Sequence, residues 1–445
     1  MPEEDVAAPT KVDERVTEPA GTPGSDAALA AYRRRMRPLR ILYAAGIAAV
    51  VAIALVLVKI AYDHGEISHA HLQTAPAPPS LATAPAPVAT PKRAWSNTDV
   101  TAIGAPVIGG TVVTHDTHTV RGRDARTGAQ TWSYTRTDRT VCTAIQAQSV
   151  TIAVYRLGGN CDELTAVNSE TGARQWTRTL DKDGAVFDGP ATYAVNGGTV
   201  MFVSPTSVYT IASGGSADQG NGGLDYWVFH HTGCTINSAV LGNSGALISQ
   251  TCHGQDCKGH KFCGDGTQLL LRDQTAGTDD KSNDNPDIVK WNHLGSDLVP
   301  TSAGLTVTAR DPDGATLHVF DPKSGKQTSQ LALSGDSGSS VPFGFASATD
   351  ADLIWIGART YALASTGTSF AWTAPTTGVP TVADGAAVLN GDHAFAPTSS
   401  GAVLLDGRTG SPTTRYPIAP PASGSRVFAL GTGLLVAGAH TVAYR

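Results

Sequence analysis

The most constraining feature of this chain is a repeat. Eight short stretches end alike: TVRGRD, LTAVN, VYTIA, LLLRD, LHVFD, YALAS, VLLDG and the C-terminal TVAYR. The first seven run into a small-residue turn, with glycines at Gly128, Gly172, Gly215, Gly277, Gly325, Gly367 and Gly410. Their intervals are 44, 43, 62, 48, 42 and 43 residues. A period in the low forties, built from short apolar strands and Gly-rich turns, specifies an all-β propeller. Only 16% of residues are charged and 48 of 445 are Gly, which suits many short strands better than helices.

Each unit parses as four strands. In the first, APVIGG, TVVTHD and TVRGRD precede the turn ARTG, and QTWSYTR follows it. Fourth strands carry a large side chain shortly after the turn: Trp132, Trp176, Trp227, Trp291, Leu331, Trp372 and Tyr416. Such a recurring side chain is expected to pack between neighbouring sheets rather than to form a ligand cage. RAWSNTDV, with Trp95, reads as a fourth strand lacking a blade before it, and TVAYR as a third strand lacking a fourth after it. Pairing them gives an eight-bladed ring closed by both termini, with Trp95 beside Tyr444 and no open edge. A seven-bladed ring is the alternative if the divergent middle hides an error.

The ring is expected over 93–445, behind a membrane anchor. Residues 41–60 form an apolar stretch in which Ile41 to Val58 carry no charge, long enough to span a hydrocarbon core of roughly 30 Å. Arg33, Arg34, Arg35, Arg37 and Arg40 precede it, whereas Lys59 is nearly alone after it. The positive-inside rule then places the N-terminus in the cytoplasm and the propeller outside. A cleaved signal peptide would have a shorter apolar core and a shorter preceding segment. Residues 1–40 read as a disordered cytoplasmic tail with a basic juxtamembrane cluster, and 61–92 as a Pro/Ala-rich semi-rigid spacer. The net charge of −6 resides in 93–445, which holds 23 bases against 29 acids. A mildly acidic body argues against a nucleic-acid partner.

ARTGAQTW, SETGARQW and DPKSGKQT resemble the repeat of quinoprotein-like (PQQ-like) β-propellers. That resemblance covers essentially all of 93–445 and implies fold rather than activity. The family's dehydrogenases hold a quinone and a calcium ion on the axis. Their adjacent-cysteine disulfide has no counterpart here and no Glu/Asn/Asp calcium set is evident, so no cofactor is expected. With the RRRMRPLR cluster, the single helix, the Pro/Ala linker, WSYTR and CTAI included, the chain also resembles a narrower group. These are the membrane-anchored propellers of mycolic-acid-containing actinobacteria, of the polar growth factor (PgfA) type. That likeness implies a role in envelope assembly at the growing pole. It also implies association with an RND-type exporter and its trehalose monomycolate glycolipid.

All six cysteines lie after the apolar stretch: Cys142, Cys161, Cys234, Cys252, Cys257 and Cys263. An even count outside the cytoplasm favours disulfides. Cys142 and Cys234 each open a blade in the same way (CTAI, CTIN), and Cys161 and Cys252 follow at nearly equal separations, which pairs 142 with 161 and 234 with 252. Cys257 and Cys263 are left to each other. The rival is a zinc site from Cys252, Cys257, His260 and Cys263, with no other metal site expected.

The irregular stretch 213–293 concentrates the insertions, and insertions in propellers mark binding faces. Tyr226, Trp227, His230, His231, His260, Asp280 and Asp284 are its candidate contact residues. Thr278–Asp287 reads as a solvated acidic loop rather than a calcium loop, because the central Gly and distal Glu are missing. His115, Asp116 and His118 read as a polar turn rather than a metal site. No GxSxG, Walker or HExxH motif occurs. The expected function is therefore non-enzymatic binding of an envelope lipid or transporter, with the cytoplasmic membrane as anchor. A pure assembly scaffold is the first alternative and a quinoprotein-type dehydrogenase the second.

Overall fold

The computed structural model describes residues 25–64, 66–81, 87–157, 159–180, 192–214, 225–230, 233–253, 264–274, 289–334, 341–383 and 386–445. The chain divides into two compact units, residues 1–68 and 69–445. In the first, one helix runs from Ser25 to His64. Its segment Leu42–Lys59, of mean hydropathy 2.4, is long and apolar enough to cross a membrane. The helix begins well before the apolar run, so the expected disordered tail is corrected over 25–40. Strong helix formers, Ala27 to Ala31 and the arginines of the basic cluster, carry the helix back through that stretch.

The second unit is an eight-bladed propeller. Eight sheets, blades 1 to 8 in chain order, follow one another. Their strands are antiparallel and pair with sequence neighbours except at 93–97 in blade 8, Ala70–Gln73 and Val100–Thr101 in blade 1, and Ile103–Gly104, which pairs in parallel with blade 2. Blade 8 is sewn from both ends: Arg93–Asn97 pairs with Thr441–Tyr444, with Trp95 opposite Ala443 and Arg93 opposite Tyr444. Closure is reinforced deep in the seam. Thr101 and Thr441 share a hydrogen bond of 2.6 Å, and Thr441 donates to the Asp99 carbonyl at 3.1 Å.

The same joint repeats from blade to blade. Trp Nε1 of one fourth strand donates to a backbone carbonyl beside the third-to-fourth-strand turn of the next blade. Trp95 reaches Ala125, Trp132 reaches Ser169, Trp176 reaches Ser213, Trp291 reaches Pro322 and Trp372 reaches Gly407. In four turns an Asp or Asn ends the third strand and caps the turn with its Oδ1. Asp124, Asn168, Asp321 and Asp406 each accept two backbone N–H groups and a Thr or Ser hydroxyl. This is the physical content of the D-x-x-T/S-G signature: an Asx turn followed by a residue with positive φ.

Two positions expected to hold the seam side chain are corrected. Leu331 and Tyr416 lie opposite Leu317 and Ala402, two residues beyond the slot that Trp132 and Trp372 occupy. The slot itself holds Ser329 in blade 5, opposite Val319, and Thr414 in blade 7, opposite Leu404. Ser329 keeps the joint by donating its hydroxyl to the Gly367 carbonyl.

The Pro/Ala-rich stretch does not act only as a spacer. Ala70–Gln73 adds a fifth main-chain strand on the outer edge of blade 1, paired with Gln130–Arg136. Ala75 then donates to Thr171, Leu81 to Gly109, Val88 to Thr432, and Lys92 and Arg445 bond reciprocally. Unsatisfied backbone groups at a blade edge and at turn carbonyls supply these partners.

Candidate functional site

A polar recess of the propeller lies at the inner strands of blades 4, 5 and 6. It has a volume of about 550 Å³ and is lined by Asn237, Ser238, Ser249, Asp297, Arg310 and Phe343, among others. Local sequence makes the recess possible. The first strand of blade 4, Cys234–Gly242, slips register between Ile236 and Ser238, leaving Asn237 as the extra residue. The first strand of blade 5, Val299–Ala303, slips between Pro300 and Ser302. Bulges re-aim side chains and bend strands next to binding sites, and both of these border the cavity.

Electrostatics in the recess centre on Arg310. Its guanidinium lies 5.6 Å from the centroid of the Phe343 ring and donates to the Val341 carbonyl at 3.2 Å. Burial pushes its pKa below the ordinary arginine value, so the site holds a charge that an anionic or carbonyl oxygen would stabilise. Asn237 is held by a bond to Thr251 at 2.9 Å, while Asp297 is exposed at the rim. Such an arrangement can recognise a polar group.

Cys142–Cys161 in blade 2 and Cys234–Cys252 in blade 4 are disulfides, each joining the blade's first strand to its third or second, and only the latter lies in the stretch singled out by sequence. The second bond removes Cys252 from the zinc alternative. Cys257, Cys263, His231, His260, Asp280, Asp284 and the acidic loop within 278–287 lie outside the described residues. Trp227 is corrected from contact residue to seam residue: it is buried, donates to the Asp273 carbonyl at 2.6 Å and packs under the Arg272 guanidinium at 4.8 Å. Tyr226 is half-buried against the same core, and His230 alone of the described candidates is exposed. Arg310, Asp297 and Phe343 gave no sequence signal, because blades 5 and 6 bring them together.

The other singled-out histidines have structural partners. Asp116 caps the turn to His118 and Thr119 and pairs with Arg121 at 2.6 Å; these bonds outweigh burial and hold its carboxyl below the usual range. Burial lowers the pKa of His115, and His118 Nδ1 bonds the Arg139 carbonyl. Among the described residues no group of three His, Cys, Asp or Glu side chains is placed to hold a metal. The axis beside blades 1 to 3 is partly filled by the chain itself. Ile103–Gly104 leaves the split inner strand of blade 1 and pairs in parallel with Ile145 and Gln146 of blade 2. A Cβ on Gly104 would lie 3.6 Å from Val195 of blade 3.

Against known proteins, a PQQ-like family described as outer membrane protein assembly factor BamB matches residues 86–227, roughly a third of the chain. The chain is an eight-bladed β-propeller that over this stretch is similar to the PQQ-like family. BamB from Moraxella catarrhalis superposes at 14% identity over 80% of this chain and 98% of its own, with a TM-score of 0.46. The dihydro-heme d1 dehydrogenase NirN superposes at 9% identity over 82% and 80%, with a TM-score of 0.50. The quinohemoprotein alcohol dehydrogenase ADHIIG from Pseudomonas putida HK5 does so at 12% identity over 83% and 78%, with a TM-score of 0.46. Likenesses at these identities show the fold alone. Comparison with curated protein sequences finds no significant match.

Proposed function

We propose that this chain is a non-enzymatic, single-pass membrane protein whose propeller stands outside the cytoplasm and docks components of envelope assembly. One observation carries the reading: a single apolar helix precedes, in the same chain, a rigid propeller stapled by two disulfides. Disulfides persist in oxidising compartments, and the arginine cluster before the span orients the N-terminus inward. The partial match to a family described as an assembly factor supports docking over catalysis. Contact is assigned to the recess around Arg310.

In its finer form the partner is an RND-type exporter and the ligand its trehalose monomycolate cargo; the support for this is the sequence resemblance. Cross-linking and lipid mass spectrometry on the full chain, extracted in mild detergent, test both levels. Enrichment of an envelope protein without glycolipid retains docking and discards the lipid. Enrichment of neither, relative to a chain ending at residue 68, discards the docking reading. Bound quinone absorbance with dye-linked dehydrogenase activity would replace it with an enzyme.

A further inference from the structure

We infer that the seam between blades 6 and 7 holds a second binding site, built for an oxyanion (carboxylate or phosphate) carried on a short aliphatic body. A cavity of about 370 Å³ lies there, between the fourth strand of blade 6, Phe370–Pro375, and the outer strands of blade 7, Gly401–Asp406 and Pro412–Tyr416. Its apolar wall is made by Val403, Leu405, Pro375 and Pro412. Arg415 sits opposite Val403 across the strand pair and is the one charged residue of the lining. It is solvent-exposed and makes no ion pair or hydrogen bond with any described residue, and no carboxylate among the described residues borders the cavity to neutralise it.

A second observation points to the same ligand. Thr377 also lines the cavity; its Oγ1 is closed off from solvent and has no hydrogen-bond partner among the described residues. Its neighbours are already committed: Thr376 bonds Thr360 at 2.7 Å, and Thr398 donates to the Gly401 carbonyl at 3.2 Å. A buried hydroxyl left unpaired is unfavourable, and turning the Thr377 side chain toward the cavity would let a ligand oxygen accept from it. The guanidinium fork selects an oxyanion, and the Val/Leu/Pro wall selects an aliphatic body behind it. The site is separate from the recess around Arg310 and stands or falls independently of the docking reading.

Saturation-transfer NMR of the full chain in lipid nanodiscs, with hexanoate, hexyl phosphate and hexan-1-ol as probes, tests the site. At least one of the two anions is expected to bind several-fold more tightly than hexan-1-ol, and their order identifies the oxyanion. Arg415→Gln should weaken anion binding about tenfold, as expected for loss of a charge-assisted fork. Thr377→Val should weaken it several-fold with the melting temperature unchanged or raised, because the unpaired hydroxyl is gone. Equal binding of the alcohol, absence of any anion signal, or unchanged anion binding in both variants would overturn the assignment.

Discussion

The indole of Trp132 lies flat against Gly172 of the next blade: a Cβ built on that glycine would come within 2.7 Å of Trp132 Cβ. Gly172 has φ +74° and the indole nitrogen donates to the nearby Ser169 carbonyl at 2.8 Å. The turn glycine therefore serves two ends, a left-handed backbone and a bare surface for the neighbouring ring. Trp95 with Gly128, Trp291 with Gly325 and Trp372 with Gly410 repeat the contact.

Comparing two glycines separates these ends. Gly197 also has positive φ (+56°) but open space around its Cβ position. Gly197→Ala should cost about 1–2 kcal/mol, the strain alone. Gly172→Ala should cost about 1–3 kcal/mol more, because the ring must be displaced. Denaturant titration reads both, and equal losses would remove the seam from the account.

Ring closure is testable by cross-linking. Ser96 and Val442 are direct partners across the joint of blade 8. Cysteines at these two positions should form a disulfide in the folded chain, seen as an intact N- to C-terminal peptide pair under non-reducing mass spectrometry. Failure to form it in folded protein would contradict the sewn blade.

Each native disulfide should matter to stability. Replacing Cys142 and Cys161 together by Ser should remove about 2–4 kcal/mol, and the same holds for Cys234 with Cys252. A chelator should leave the stability set by Cys252 unchanged. Chelator-sensitive unfolding linked to Cys252 would restore the zinc alternative.

Acid should weaken the joint between blades 1 and 2. Arg136 is almost fully buried and bonds Asp138 and Glu163, while Arg139 pairs with both acids. Burial pushes the Asp138 carboxyl up, but donation and charge from Arg136 and Arg139 outweigh it and hold the pKa below the usual value. A depressed carboxylate contributes stability that is complete above its ordinary pKa of about 4 and is lost as pH falls through the folded value. Asp138→Asn should therefore destabilise the chain at pH 7 and flatten its stability profile below about pH 4. An unchanged acid limb would refute the assignment.

The docked segment predicts a truncation effect. A propeller beginning at His69 should unfold at a higher temperature than one beginning at Arg93, since only the first retains Ala70–Gln73 on blade 1 and the Leu81 and Val88 bonds to neighbouring turns. Equal melting temperatures would make that segment the passive spacer its composition suggests.

Much of this was legible in sequence because it is local and repeated. The D-x-x-T/S-G turns, the Trp after them and the orphan strands at 93–97 and 441–444 each encode one blade's geometry within about ten residues. Pairing of Cys142 with Cys161 and of Cys234 with Cys252 followed from the same repetition. Leu331 and Tyr416 were misplaced because the slot in those blades holds the small residues Ser329 and Thr414, and the nearest large side chain stands two residues further on. The composition of 61–92 concealed its strand, since His71 to Gln73 gain their order only from the free edge of blade 1.

By itself the sequence determined the propeller, its closure and its apolar helix, because strand period, turn chemistry and hydrophobic length act over neighbouring residues. Tertiary structure alone decided the two cavities. Arg310 meets Phe343, and Arg415 and Thr377 line one cavity, only across blade boundaries, where packing and strand bulges, rather than local propensity, fix which side chains come together.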